Sequence, residues 1–164
     1  MLPGPILTEA LLRMIIAMLV GCIIGIDRNM RGKPTGVKTL GLVALGSCLV
    51  TMAGAGFALH GVAGVDATSR AIQGIVTGIG FLGAGVIVQN APFDKIRGLT
   101  TAASIWVTAA LGIVCGVGAW SIALIAAFLF MVLLIFGRVA ERALHRYWLA
   151  KPKEHRDAMI ESEE

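Results

Sequence analysis

The chain has 164 residues, of which 57% are hydrophobic and 15% charged, with a formal net charge of +4 and a mean hydropathy of +0.84. Soluble domains carry about half apolar and about a quarter charged residues, so this balance excludes an ordinary soluble globule and points to a membrane protein. The three cysteines, Cys22, Cys48 and Cys115, fall in apolar runs and are odd in number, which argues against a disulfide framework or a cysteine metal site.

The N-terminus, MLPGPILTEALLR, lacks the basic stretch and cleavage motif of a signal peptide and is expected to stay on the mature protein. A first span is predicted over Ile6–Ile26. Glu9 and Arg13, four apart, pair on one face near its start, and Gly21 and Gly25 form a G-x-x-x-G pair suited to close helix contact. The turn Asp27–Lys38, DRNMRGKPTGVK, is the most charged in the chain, and Pro34 and Gly36 break the helix there. A second span follows over Thr39–Leu59. His60–Ser69 reads as a loop whose only acid is Asp66, closed by Arg70. The third span is predicted over Ala71–Val88, the fourth over Thr100–Val114, and the fifth over Trp120–Phe136, ended by Arg138. Gly116-Val117-Gly118 is a minimal turn between the last two. The segment 138–164 reads as a tail, amphipathic at first with Tyr147 and Trp148 as interfacial anchors, then polar and frayed beyond Pro152. The predicted fold class is an all-α bundle of five transmembrane helices over residues 1–137, followed by that tail.

The stretch Arg70–Trp106 organises the rest. Its first part holds Gly74, Gly78, Gly80, Gly83 and Gly85 with no charge before Asn90. An isolated helix would not favour so many glycines, but small residues let membrane helices approach until their backbones touch. Gly78, Gly80 and Gly83 also spell the G-x-G-x-x-G of a dinucleotide-binding turn. That mechanism needs a preceding strand, an accessible helix N-terminus and an acid about 20 residues on. Here the glycines sit mid-span and Asp94 is too near, so helix packing is the reading.

Counting basic residues gives the orientation. Arg28, Arg31, Lys33, Lys38, Lys95 and Arg97 lie in two turns on one side, while Arg13 and Arg70 lie on the other with Glu9 and Asp66. Five spans then put the N-terminus outside and the basic turns and C-terminus in the cytoplasm. A shift of 62 residues aligns Gly21 with Gly83, Lys33 with Lys95, Gly36 with Gly98, Thr39 with Thr101, Gly54 with Gly116 and Gly56 with Gly118. This suggests a parallel two-helix repeat.

Polar groups in lipid need a partner or a purpose. Gln73, Thr77, Asn90, Thr100, Thr101, Ser104 and Thr108 gather on the third and fourth spans. Interhelical hydrogen bonding is the plain account of them, and Thr100-Thr101 are suited to capping the fourth helix. Asp27 opposes the dipole at the end of the first span; Arg28, Arg31, Lys33 or a bound cation would favour it there. The basic turns would attract anionic head groups. No nucleophile–base pair, metal motif or phosphate loop in a soluble context is present, and topology accounts for the positive charge, so enzyme, cofactor and nucleic-acid readings are not expected.

With these residues in place, the chain resembles the MgtC/SapB family. The resemblance rests on G-x-x-x-G-x-D-R-x-x-R-G-K-P-x-G-V-K-T at Gly21–Thr39, on Gln73, on G-I-G-F-L-G-A-G-V-I at Gly78–Ile87, and on R-G-L-T-T-A-A-S-I-W at Arg97–Trp106. It covers about residues 10–137. It implies a five-span bacterial inner-membrane module linked to low-magnesium growth and virulence, acting by binding and modulating other membrane proteins, the ATP synthase among them. Asp27 stands where the family has Glu, Lys38 where it has Arg, and Thr100 where longer members have Asn. A short tail stands in place of the family's soluble C-terminal domain, so the chain is closer to the short SapB-like members. Candidate residues for partner or ion binding are Asp27, Arg28, Arg31, Lys33, Gln73, Asn90, Arg97, Thr100, Thr101, Ser104 and Trp106. Helix packing is assigned to Gly21, Gly25, Gly74, Gly78, Gly80, Gly83 and Gly85. The expected partners are the bilayer, other membrane proteins and a second copy of the chain, most simply as a dimer. The alternative is a small Mg²⁺ transporter or channel, its path lined by Asp27, Gln73, Asn90 and Thr101.

Overall fold

The computed structural model describes residues 4–57, 65–88 and 97–149. Five helices follow in chain order: α1 Gly4–Asn29, α2 Val37–Gly54, α3 Val65–Val88, α4 Leu99–Val117 and α5 Trp120–Leu149. All five are long and apolar enough to span a membrane. In hydrocarbon no water satisfies backbone N–H and C=O groups, so an unbroken helix is the form such apolar runs must take. The protein is an all-α membrane bundle, as the composition predicts.

The boundaries differ from expectation at several places: α2 stops at Gly54, short of Leu59, and α4 runs on through Gly116 to Val117. Helix α3 begins at Val65, so Asp66 and Arg70 lie on its first turns and not in a loop. Helix α5 does not end at Arg138 but continues to Leu149, because nothing from Arg138 to Leu149 breaks a helix and most of these residues favour one. Most of the expected polar turn from Asn90 to Gly98, Asp94 and Lys95 included, lies outside the described residues.

Two features support the 62-residue repeat. Gly36 and Gly98 are the N-cap residues of α2 and α4, neither helix carrying a side-chain cap. Thr100 and Thr101 therefore do not cap α4, which corrects that expectation. Beyond the other ends, Gly56 and Gly118 both have positive φ, +63° and +93°.

The chain divides into two compact units, Met1–Ala127 and Phe128–Glu164. In the first, α1 packs antiparallel to α2 at backbone contact. A Cβ added to Gly25 would lie 2.5 Å from Val37 Cα, and one added to Gly21 would lie 2.9 Å from Ala44 Cβ. Helix α4 runs parallel to α2: a Cβ on Gly112 would meet Ser47 Cβ at 2.9 Å, and one on Gly116 would meet Thr51 Cβ at 2.8 Å. Small residues at the seams let the three helices close on a buried core of Ala17, Ile24, Leu40, Ala44, Cys48, Ile105 and Cys115. Helix α3 lies antiparallel to α4, with Gly98 against Val86 and Gly83 facing Ala102. In the second unit α5 exposes Phe128, Leu129, Leu133 and Phe136, as a helix in contact with lipid does.

Candidate functional site

The feature at the basic-turn end of the first unit is a buried arginine. Arg28 sits in the last turn of α1, where a cation complements the helix dipole, and only 3% of it is exposed. Its Nε donates to the Thr35 carbonyl at 3.2 Å and to Thr35 Oγ1 at 3.0 Å. Its Nη1 donates to Ser104 Oγ at 2.9 Å and its Nη2 to Thr101 Oγ1 at 2.5 Å. Ser104 in turn donates to the Thr100 carbonyl at 2.6 Å, and Thr108 to the Ser104 carbonyl at 2.7 Å. The planar fork of the guanidinium thus binds the α1–α2 turn and the first turns of α4 to the end of α1.

Asp27 pairs with Arg31 one turn on, with Arg31 Nε donating to Asp27 Oδ1 at 2.8 Å. Of the three basic side chains proposed to favour this acid, the structure pairs it with Arg31, and it turns Arg28 inward to hydroxyls. Lys33, Lys38 and Arg97 are exposed.

A second buried arginine lies at the opposite end. Arg13, 5% exposed, pairs with Glu9 as expected, but it also crosses the bundle. Its Nη1 donates to the Gly116 carbonyl at 2.9 Å, capping the C-terminal end of α4 with a positive charge. Its Nε is buried with no hydrogen-bond partner. The α4–α5 turn is shaped around this group, since a Cβ on Gly118 would lie 2.6 Å from Arg13 Nη2, and φ there is +93°. A side chain at that position meets both a clash and a strained backbone. Sequence reasoning missed this long-range role of Arg13 and the part of Thr35 altogether. The available signal was a charge inside an apolar run with glycines at 116 and 118 on another span.

The remaining candidates separate. Gln73 and Thr77 face outward on α3, Thr77 donating to the Gln73 carbonyl at 2.9 Å. Because α3 and α4 are antiparallel, with Gly83 facing Ala102, Gln73 and Thr101 sit at different depths, about 16 Å apart along the axis at 1.5 Å per residue. The structure does not bring the two together at one site. Asn90 lies outside the described residues. Trp106 is half exposed over a shallow apolar groove between α3 and α4, lined also by Ile75, Val76, Ile79, Ala109, Ala110 and Ile113. Among the described residues no three metal-ligating side chains gather.

The packing glycines also divide. Gly21 and Gly25 meet α2 as expected, and Gly83 approaches Ala102 at 3.5 Å, whereas a Cβ on Gly74, Gly78, Gly80 or Gly85 would meet nothing within 4 Å. The expectation that these four bring α3 against another helix of the same chain is therefore corrected: they lie on faces of α3 that no described residue covers.

Apolar helices closed by glycine seams, with two buried arginines tying their ends, define a multi-pass membrane protein whose charges serve its interior as well as its rims. The profile of the MgtC family matches residues 14–143, and the chain belongs to that family. Protein SrpB of Synechococcus elongatus is 47% identical over 125 residues, covering 71% of this chain and 68% of SrpB. The Escherichia coli K12 protein named "Putative magnesium transporter YhiD" is 39% identical over 145 residues, covering 84% of this chain and 65% of YhiD. Protein MgtC of Salmonella typhimurium is 34% identical over 146 residues, covering 89% of this chain and 60% of MgtC. The chain thus spans less than two thirds of the length of YhiD and of MgtC. No solved structure matches it.

Proposed function

We propose that this chain is a non-enzymatic regulator in a bacterial inner membrane, N-terminus outside, that binds other membrane proteins or a second copy of itself through the outer face of α3. The observation that carries this reading is the open space beside Gly74, Gly78, Gly80 and Gly85. Each glycine costs a helix about 1 kcal/mol relative to alanine, and with no neighbour among the described residues that cost is offset by a partner from outside. A small-residue face is how membrane helices approach one another. Gln73 on the same helix adds an exposed amide, whose donors and acceptor lipid tails cannot satisfy.

The second reading, transport of a cation such as Mg²⁺, is favoured by the name of YhiD. Against it, the buried polar cluster of the first unit is centred on the positive Arg28, and a cation there is repelled. The link to low-magnesium growth and virulence follows the family resemblance.

Reconstitution separates the two. The purified protein in vesicles should carry no saturable Mg²⁺ flux. In cells, Gly78→Leu and Gln73→Leu should abolish cross-linking of α3 to its neighbour while the protein stays folded and abundant. Saturable flux lost in Asp27→Asn would overturn the regulator reading in favour of transport.

A further inference from the structure

The continuation of α5 past Arg138 belongs neither to the span nor to the buried arginine network. About 20 residues cross the hydrocarbon, so a helix that starts at Trp120 leaves it within a turn of Gly137–Ala140. Beyond that point the helix is two-faced. Arg138, Arg142 and Arg146 recur at i, i+4 and i+8 and form one row, with Glu141 the only acid, on its flank. Arg142 and Arg146 are exposed. Across the helix from that row lie Leu144 and Tyr147, each 72% exposed, while Val139, 62% exposed, sits beside the row. Inside the membrane such exposure is met by lipid; beyond it, an apolar face opposite a row of cations has the make-up of a helix lying in the head-group region.

Gly137 stands at the junction. It is helical, and a Cβ there would meet only Leu133 Cδ1 at 3.9 Å, so no close contact demands a glycine. What it supplies is a weak point where the helix can bend.

We infer that the segment from Arg138 to Leu149 docks on anionic phospholipid, its arginine row on the phosphates and its apolar face among the upper acyl chains, with Gly137 as the hinge. The occupant follows from covalent continuity and charge: the segment is joined to a membrane span, the bilayer surface is within its reach, and the row is complementary to anionic head groups. Long arginine stems cover apolar surface while their heads stay at the phosphate level. This surface is separate from the α3 face and does not depend on it.

The test uses the full chain with Cys22, Cys48 and Cys115 replaced by alanine and a fluorophore on Leu144→Cys, in nanodiscs of phosphatidylcholine with or without phosphatidylglycerol. Expected is quenching by doxyl-labelled lipid in anionic discs, reversed by salt. Each arginine near the surface should add about fivefold to docking, so changing Arg138, Arg142 and Arg146 to glutamine should lower it about a hundredfold. Gly137→Ala, which the space beside the residue accommodates, should also weaken docking without loss of folded protein. Equal quenching in zwitterionic discs, or quenching unchanged by the glutamine substitutions, would show apolar anchoring alone and overturn the proposal. So would a label that stays in water in both lipids, or one shielded only when two copies share a disc.

Discussion

Replacing Arg28 with lysine keeps the charge and most of the volume but removes the fork. The guanidinium of Arg28 donates to Thr35 at 3.2 and 3.0 Å, to Ser104 at 2.9 Å and to Thr101 at 2.5 Å, and these acceptors lie on two elements, the α1–α2 turn and α4. An ammonium is a single point and cannot reach both sets. If two of the four bonds are lost at about 1.5–3 kcal/mol each while the charge stays buried, Arg28→Lys should destabilise the fold by about 3–5 kcal/mol, the range for breaking a buried charged network. Unfolding titrations from mild detergent into dodecyl sulfate would measure this, with abundance in membranes as a second readout. Thr101→Val should lose about 1.5–3 kcal/mol alone. Combined with Arg28→Lys it should lose less than the sum, since the shared bond is broken once. An Arg28→Lys protein within about 0.5 kcal/mol of the native one, the scatter of surface substitutions, would refute the claim that the fork joins α1 to α4.

Other substitutions read the rest of the bundle. Gly112→Leu places a side chain where α4 meets α2 and should cost at least about 1–3 kcal/mol, seen as lost abundance. Gly80→Leu enters open space and should leave the fold of the single chain intact; misfolding of the isolated monomer would count against the placement of α3. Gly118→Ala meets both a φ of +93° and the Arg13 guanidinium and should cost roughly 1–3 kcal/mol from backbone strain alone, whereas Gly32→Ala, with strain but no neighbour, should cost less. For topology, cysteines at the exposed Met30 and Val65, in a chain lacking the native three, should label from opposite sides of the membrane; labelling from one side would contradict the five-span arrangement.

The class, the number of spans and many of their limits were legible in the residues alone. Continuous apolar runs leave the backbone no alternative to helix in lipid, and Pro34, Gly36, Gly98 and Gly118 mark where those helices stop or start. The local ion pair Glu9–Arg13 was legible because four residues make one helical turn. Which glycines are seams and which are bare depends on how the helices assemble. Gly21 and Gly80 look alike in sequence, yet one meets Ala44 and the other meets no described residue; spacing along one helix carries no information about which face a distant helix covers. For the same reason the two arginines could not be assigned from sequence. Arg28 beside Asp27 invited a local pair, but its bonds to Ser104 and Thr101 span more than seventy residues of chain. Arg13 reaches Gly116 only because α1 and α4 lie side by side. A buried charge is held by whatever acceptors the fold brings to it, and those acceptors come from elsewhere in the chain.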